Sequence, residues 1–361
     1  MEKLKFIETR QALTPEIKVV DKNRDYLYWG EENKLPYELY NLFEKSSIMT
    51  AVVGSMRDYI LGDEIVNLTG FETINRKGDT LEDLVWKCVQ DYCLFGGFAI
   101  QVIRTKSLEK VAELNWIDMR KVRVNKDEDT LWVNEWDARK RKQPVKLPRY
   151  INGAKQPNSV YYYKGRLTRN QYPIPMYIGA LTDIQISAEV DNYNLCNVLN
   201  NFTPSAVINF NNGQNLGEDE IDELEAKIYD KFSGTSNAGK IVLSFNDDSE
   251  HATTIERLAD DGLDDKYKNL METTRENIYA GFRFNPVLTG LNKTNSGFTG
   301  QEFSEAFKLY NKTVIQPAQK ELIDAFEKIF GKGCMEIKPF TIEFDTVAEE
   351  PAENNDTNTI E

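Results

Sequence analysis

The sequence predicts an α+β fold in which a region of short strands is flanked by long amphipathic helices. Between Phe98 and Gly165, apolar and polar residues alternate with a period of two, which is typical of β-strands. Before and after this region, apolar residues recur every three or four positions, which is typical of helices with one buried face. The 361 residues are 40% hydrophobic and 28% charged, an ordinary composition for one large domain or two to three smaller ones.

Two helices are predicted before the strands. The first spans Ser47–Leu61 and is followed by Gly62, a residue that commonly ends helices. The second spans Thr80–Leu94 and continues a pattern that includes Cys88 and Cys93. These cysteines lack metal-ligand spacing, so we expect small buried residues in a reducing compartment. The strands that follow are FAIQVIR, AELNWIDM, KVRVN, TLWVNEW and SVYYYKG.

A basic segment lies between the last two of these strands. It reads DARKRKQPVKLPRYINGAKQPN, residues 137–158. It contains prolines and has no apolar periodicity, so the sequence predicts a long exposed loop there. Such a loop is either simply solvated or contacts a phosphate or a partner protein.

Two long helices are predicted on either side of a small module. The first covers 178–202, after the prolines of YPIPMYIG, and its apolar stripe runs from Ile184 through Leu195 to Phe202. The module, 203–250, consists of the strand AVINF, the helix GEDEIDELEAKIYDKF and the strand KIVLSF. It is too small to have a substantial core of its own. The second long helix starts at Leu263, and its stripe includes Leu270.

A polar loop and a third long helix are predicted near the end of the chain. The Asn-Pro step and the Gly, Asn, Ser and Thr residues of 284–300 favour a loop. The helix begins near Gly300 and continues to Gly331, with a kink or interruption expected at Pro317. A last strand, MEIKPFTIEF, follows. The acidic tail 347–361 has no apolar period and is predicted to be disordered.

Charge and residue usage argue against several functions. The formal net charge of −14 disfavours tight binding to nucleic-acid phosphates, although DNA could still pass an acidic wall without sticking. The sole histidine, His251, lies in an acidic loop, so a Ser-His-Asp mechanism is not expected. Gly234, Gly239 and Lys240 have the spacing of a phosphate-binding loop, but Ile241 replaces the required Ser or Thr. We predict no catalytic residue, no cofactor and no metal site.

Neither a membrane protein nor a secreted protein is expected. No apolar run approaches the ~20 residues that span a bilayer, and the first residues lack the apolar region of a signal peptide.

Two alternative functions remain open on sequence alone. Carboxylates cluster around Gly262, and a metal-dependent phosphodiesterase acting on nucleic acid would need them to converge with others. A monomeric adaptor that binds proteins through module 203–250 is the second alternative. The carboxylates in question are Asp260, Asp261, Asp264 and Asp265.

The order of these parts resembles the portal proteins of tailed bacteriophages in a compact form, over residues 28–345. WGEENKLPYEL resembles the N-terminal segment of many portals. The passage from YPIPMYIG to FNNG resembles the route from wing to first stem helix and clip. IYAGFRFNPVLTGL, a polar loop and a helix ending in IQPAQKELIDAF resemble a portal helix, aromatic turn, Pro, Leu-x-Gly and a helix with Ile-x-Pro.

The resemblance implies a portal-like fold with an α/β wing, two long stem helices flanking a small α/β clip, a tunnel loop, a long kinked helix and a minimal crown. On that basis the wing is 1–177, the stem helices are 178–202 and 251–283, the clip is 203–250, the tunnel loop is 284–300, and the long helix with the returning wing strand is 301–346.

The resemblance also implies a function: a structural protein, not an enzyme, that forms a dodecameric ring at the unique capsid vertex. Double-stranded DNA would pass through the ring without sequence specificity during packaging and ejection. The implied partners are the terminase large subunit, the head–tail adaptor, and the major capsid and scaffolding proteins. The implied location is the virion, with the host cytoplasm during assembly.

Two groups of residues receive roles from the resemblance. The tunnel loop would face DNA through Leu291, Asn292, Lys293, Thr294, Asn295, Ser296, Gly297 and Phe298. The clip would dock the motor and the adaptor through Glu218, Asp219, Asp222, Glu223, Lys227, Asp230 and Lys231.

Overall fold

The computed structural model describes residues 16–22, 24–136, 143–165, 170–199, 206–210, 241–245, 263–290 and 300–341. The helices are α1 (Leu35–Lys45), α2 (Ser47–Leu61), α3 (Leu81–Phe95), α4 (Leu181–Leu199), α5 (Leu263–Gly281), α6 (Gly300–Tyr310) and α7 (Gln316–Phe330). The strands are β1 (Val19–Val20), β2 (Tyr28–Trp29), β3 (Glu64–Asn67), β4 (Gly97–Arg104), β5 (Val111–Ile117), β6 (Val122–Val124), β7 (Thr130–Val133), β8 (Val145–Pro148), β9 (Asn158–Lys164), β10 (Ala206–Phe210), β11 (Ile241–Phe245) and β12 (Met335–Lys338).

The strands form small sheets, and the period-two prediction is confirmed for each strand that it named. One antiparallel sheet has the order β5-β4-β9, and another has the order β6-β7-β8. In the module predicted at 203–250, β10 and β11 pair in parallel, an arrangement that requires a crossover connection between the two strands.

The core is organised around α2. This helix packs against α1, α3, α4 and α5, and also against the long helix near the end of the chain. Helix α3 packs against β4 as well as against α2, and the β4 residues from Gly97 to Ile100 are all buried. Since α2 touches so many elements, its side chains connect parts of the chain that lie far apart in sequence.

Local capping explains why the first two predicted helices have the bounds that the structure shows. The Ser46 side chain accepts a hydrogen bond from the Met49 N–H at 3.3 Å and caps α2. Gly62 ends α2 with a φ of 68°, a conformation that favours glycine. At α3, Thr80 and Asp83 form a capping box, in which each side chain binds the backbone N–H of the other.

The prediction of a loop over 137–158 is wrong for the central part of that segment. Within it, β8 pairs with β7 in antiparallel register, and Leu147 lies opposite Leu131. Leu147 is half-buried, so a single apolar side chain is enough to hold this edge strand on the sheet. The proline at its end is tolerated because an edge strand has unpaired N–H positions. Residues 137–142, which hold most of the basic side chains, lie outside the described residues.

The interruption predicted at Pro317 is confirmed and takes the form of a π-helical turn. Residues Asn311–Ile315 join α6 to α7, and the Gln316 N–H bonds to the Asn311 carbonyl, five residues back. Proline has no N–H to donate, so the α-helical pattern cannot continue through it unchanged. A widened turn is one of the ways in which a helix adjusts to such a break.

A short sheet that the sequence did not predict joins distant parts of the chain. Strand β3 pairs antiparallel with β12, and Ile65 lies opposite Ile337. The strand predicted as MEIKPFTIEF is therefore real over Met335–Lys338, and its partner comes from the segment directly after α2. This pairing fixes the end of α7 beside the end of α2.

Asp91 is a buried carboxylate within α3. Its residue is 4% exposed, and its Oδ2 accepts a hydrogen bond from the Trp116 indole N–H at 2.8 Å. Burial, with the nearby charge of Asp118, raises the pKa of this carboxyl well above its ordinary value. The folded state therefore holds this proton to higher pH than the unfolded chain, and the contribution of Asp91 to stability falls as pH rises above about 4.

We expect Asp91→Asn to weaken that pH dependence, because the amide does not ionise. Relative to the wild type, the variant should be more stable at pH 7 than at pH 4.5, so the free energy of unfolding of the variant minus that of the wild type should be larger at pH 7. Denaturant titrations at both pH values measure this difference. An equal difference at both pH values for Asp91→Asn would contradict the prediction.

Candidate functional site

The two long helices α4 and α5 pack side by side in antiparallel directions. The base of the pair is formed by Ala180, just before α4, and Gly281, at the end of α5. A Cβ atom added to Gly281 would lie 2.6 Å from the Ala180 Cβ, so a glycine lets the two backbones approach closely. One turn further on, the Asn277 side-chain N–H donates to the Asp183 carboxylate at 3.0 Å. The base of the pair is therefore fixed by close packing and a polar contact.

The apolar stripes of both helices are buried near this base and exposed further along. On α4, Ile184 is fully buried while Leu195 is 56% exposed. On α5, Ile278 is fully buried while Leu270 is 40% exposed. The stripe predicted from the sequence is thus covered within the chain over only part of its length.

Helix α5 ends in a turn that places a cation in an uncommon backbone conformation. The Phe284 N–H returns to the Tyr279 carbonyl at 2.9 Å, and Arg283 between them has a φ of 53°. A non-glycine residue in the left-handed region costs about 1–2 kcal/mol. The attraction between the positive side chain and the negative end of the helix dipole offsets part of this cost. Arg283 is exposed, so its guanidinium is presented to solvent at the base of the pair.

The sequence Asn285–Gly290 forms a tight 3₁₀ turn after α5. The Asn285 side chain accepts a hydrogen bond from the Val287 N–H at 3.0 Å, and Gly290 ends the turn with a φ of 74°. Leu288 is 2% exposed and belongs to the main core. The N-terminal end of the following segment is therefore anchored by a buried leucine.

Tyr59 of α2 contacts described residues on both sides of segment 291–299. Its hydroxyl donates to the Leu288 carbonyl at 2.6 Å, and its ring meets the Phe307 ring edge-on at a centroid distance of 5.3 Å. Phe303, one turn earlier on α6, is also buried and stacks on Phe307 at 6.2 Å. Tyr59 therefore links the turn that precedes the segment to helix α6, which follows it.

A shallow groove of about 420 Å³ lies along the end of α5. Arg283 supplies its cation and Glu276 its carboxylate. The rest of the lining is aromatic, aliphatic or amide, so the groove has few charged groups to bind an anion or a metal. Its lining residues are Glu276, Tyr279, Ala280, Arg283, Phe284, Asn285 and Pro286.

The site residues predicted from the sequence all lie outside the described residues. They are the tunnel-loop residues Leu291–Phe298, the clip residues between Glu218 and Lys231, and the side chains of Asp260, Asp261, Asp264 and Asp265. What the structure adds is the anchoring of the predicted loop. Neither Tyr59 nor Arg283 was predicted from the sequence as a site residue. Nothing local distinguishes Tyr59 from the apolar positions of α2. Arg283 occupies a helix end at which glycine is the usual residue.

The described residues provide neither a metal site nor a membrane-spanning helix. In the described ranges, no group of three or more His, Cys, Asp or Glu side chains is placed to hold a metal ion. No helix in the part of the chain that the structure describes is long and apolar enough to cross a membrane.

Comparison with known proteins agrees with this architecture. The chain matches the phage portal protein family over residues 77–353. No curated protein matches it significantly.

Solved structures with a similar fold come from phage-like particles. One is a chain in the virion of a native gene transfer agent (GTA) particle, with a TM-score of 0.56 and 13% identity over 91% of this chain and 87% of that one. Another is in the neck of an empty GTA particle computed with C6 symmetry, with a TM-score of 0.54 and 13% identity over 92% and 87%. A third is in the neck of a native GTA particle computed with C12 symmetry, with a TM-score of 0.54 and 12% identity over 87% and 86%. These similarities establish the fold, and the family match extends over most of the chain. The chain therefore belongs to the phage portal protein family.

Proposed function

We propose that copies of this chain assemble into a ring at one capsid vertex and that double-stranded DNA passes through the ring during packaging and ejection. Membership of the portal family supports a structural role in the virion. Chains with a similar fold occur in particle necks that were computed with C6 and C12 symmetry. A dodecamer is the ring size that we propose.

The observation that carries the proposal is the exposed part of the apolar stripes on α4 and α5. Leu195 and Leu270 lie away from the base of the pair and are 56% and 40% exposed. A single chain leaves these side chains in water, whereas a ring of parallel copies can bury them between neighbours. We therefore assign α4 and α5 as stem helices. Module 203–250, whose described strands pair in parallel, is assigned as the clip.

Segment 291–299 is assigned as the tunnel loop. The turn before it and helix α6 after it both contact Tyr59, which supports this assignment. Lys293 is the one charged residue of the segment, and the chain as a whole has a net charge of −14. A lining with few cations displaces few counterions from DNA, so DNA can slide past it without being held.

The remaining assignments follow the family resemblance. Residues 1–177 and 301–346 form the wing, the long helix and a minimal crown. The acidic helix of the clip, from Glu218 to Lys231, docks the terminase large subunit during packaging and the head–tail adaptor afterwards. The major capsid and scaffolding proteins surround the wing during assembly in the host cytoplasm.

A loop deletion tests the DNA role separately from assembly. We expect the wild type and a variant lacking Leu291–Gly297 to form rings of equal size in native mass spectrometry and negative-stain microscopy. Particles assembled with the deletion variant should package or retain less DNA. A second variant, in which the same residues are replaced by a Gly/Ser segment of equal length, separates loop length from loop chemistry. Full-length genomes in particles assembled with the deletion variant would contradict the channel role of the loop. A wild-type chain that stays monomeric even with capsid proteins present would contradict the proposed ring.

A further inference from the structure

The long helix after the tunnel loop carries an exposed basic surface, which we define as Lys308, Leu309, Lys312 and Lys320. Leu309 is 68% exposed, more than any other large hydrophobic residue in the described part of the chain. The three lysines are exposed, and none of the ion pairs among described residues involves them. Exposed Glu305 lies one turn before Leu309 on α6, so the surface is net positive with one carboxylate at its edge.

Two of these lysines, Lys312 and Lys320, line the same groove in this surface. The groove has a volume of about 290 Å³ and lies beside the π-helical turn. Its one carboxylate, Glu321, accepts hydrogen bonds from the hydroxyls of Tyr92 at 3.1 Å and Tyr163 at 2.6 Å. The groove therefore presents positive charge to a partner. Its lining residues are Lys312, Gln316, Pro317, Lys320 and Glu321.

An acidic surface lies on the turn before α1 and along α1. Its carboxylates, all exposed, are Glu31, Glu32, Glu38 and Glu44. Partial burial of its carboxyl, and to a lesser degree the charge of Glu32, raise the pKa of Glu38. Two lysines accompany them, Lys34, which pairs with Glu32 at 3.6 Å, and Lys45 at the end of α1, so the surface remains net negative.

Glu44, at one end of the acidic surface, lies near the start of α2, because Ser46 ends α1 and caps α2. The basic surface adjoins its end, where the Gln319 side chain donates to the Ile60 carbonyl at 3.0 Å and Phe307 meets Tyr59. A 15-residue helix is about 22 Å long. Complementary surfaces separated in this way suit a head-to-tail contact between identical subunits, which closes into a ring when the rotation allows.

We propose that the basic surface of one copy binds the acidic surface of the next copy, with Leu309 buried at the centre of the contact. This inference rests on the ring proposed above and identifies one of its subunit contacts. Exposed ion pairs contribute little affinity one by one, so the charges fix the orientation and register of the contact. Burial of Leu309 supplies affinity. A DNA backbone would satisfy the lysines but leave this leucine in water, which favours a protein partner.

Charge reversal tests the contact. The basic variant is Lys308→Glu with Lys312→Glu, and the acidic variant is Glu38→Lys with Glu44→Lys. Each alone should lower the ring fraction in native mass spectrometry at least tenfold at fixed protein concentration, because like charges then face each other. A chain carrying all four changes should recover rings. Lys328→Glu, at an exposed lysine of α7 outside the basic surface, is the control and should leave the ring fraction unchanged.

The outcomes separate this contact from the ring itself. Normal rings in both variants would overturn the contact while leaving the proposed function intact. Normal rings together with reduced DNA packaging in the basic variant would assign the surface to DNA instead. Loss of rings without recovery in the fourfold variant would show that the two surfaces do not meet. A wild type without rings would contradict both the proposed function and the contact. Circular dichroism spectra of the variants that match the wild-type spectrum would exclude unfolding as the cause of any loss of rings.

Discussion

Tyr59→Ala is expected to loosen the turn and the helix α6 that flank the proposed tunnel loop, and to lower the free energy of unfolding by about 3–5 kcal/mol, the range for truncating a large buried aromatic side chain. Tyr59 is 7% exposed. Its ring meets Phe307 at 5.3 Å and Phe340 at 4.9 Å, both edge-on, and its hydroxyl binds the Leu288 carbonyl at 2.6 Å. Alanine removes the ring contacts and the hydrogen bond together.

Tyr59→Phe separates the hydrogen bond from the ring. The phenylalanine ring can keep the contacts with Phe307 and Phe340, but the Leu288 carbonyl loses its hydroxyl donor. Leaving a buried acceptor unpaired costs about 1–3 kcal/mol. Hydrogen exchange should therefore become faster at Leu288–Gly290 in this variant, while exchange in α6 changes less. In Tyr59→Ala, exchange should become faster at both ends of the loop.

Tyr172→Phe is the matched control for this measurement. Its hydroxyl is also buried and also donates at 2.6 Å, in this case to the Leu27 carbonyl, and it accepts a bond from the Val124 N–H at 3.2 Å. Tyr172→Phe should therefore lower global stability by at least as much as Tyr59→Phe, without a selective change at Leu288–Gly290. Equal exchange at the turn in the two phenylalanine variants would contradict the anchoring role of Tyr59. Since the loop is proposed to line the channel, Tyr59→Ala rings should also retain DNA less well than Tyr172→Phe rings.

Features with a local cause were predictable from the sequence. The bounds of α2 follow from Ser46 and Gly62, which lie next to the helix and stop it at both ends. The interruption before Pro317 follows from the missing N–H of that residue, although its form as a π turn does not. In both cases the deciding interactions occur within a few residues, which is the distance over which sequence patterns carry information.

Features with a distant cause were not predictable. Strand β3 has a partner that lies near the other end of the chain, and β8 was missed because proline and lysine residues obscured its single inward leucine. The contact between Tyr59 and Leu288 joins residues 229 positions apart. Each depends on tertiary packing, so the sequence indicated the loop but not what holds it.

The turn before α1 offers a second strong test, because a buried cation holds it. Arg123 is 0% exposed and donates to the Asn33 carbonyl at 2.7 Å, the Val122 carbonyl at 2.7 Å and the Arg120 carbonyl at 2.9 Å. It also donates to the Asn33 side-chain oxygen. That oxygen accepts a further bond from the Trp29 N–H at 3.1 Å, and Asn33 itself has a φ of 64°. The guanidinium therefore stabilises a turn whose backbone is strained.

The charge of Arg123 is balanced by carbonyl dipoles and rings. None of the ion pairs among described residues includes it, and the guanidinium lies 5.3 Å from the Trp136 ring centroid and 5.9 Å from that of Trp29. Burial lowers its pKa to about 10, so it stays protonated at neutral pH. Removing the cation leaves several buried acceptors without a donor.

Arg123→Met is therefore expected to lower the free energy of unfolding by about 3–5 kcal/mol, as when one partner of a buried charged network is removed. Arg123→Lys should have an intermediate effect, because an ammonium cannot reproduce the planar fork of donors. Denaturant titration measures both, and the fluorescence of Trp29 and Trp136 should report the change directly. The control is Arg57→Met, at a partly exposed arginine that stacks on Trp86, with an expected cost below about 1 kcal/mol.

The same variant links stability to assembly. Helix α1 begins directly after this turn, and its glutamates form part of the proposed acidic surface. If Arg123 positions α1, then Arg123→Met should reduce the ring fraction under conditions where most of the protein is still folded, whereas Arg57→Met should not. A folded Arg123→Met protein with a normal ring fraction would show that the turn stabilises the subunit without orienting the contact. A cost of less than about 1 kcal/mol would contradict the structural role of the buried cation itself.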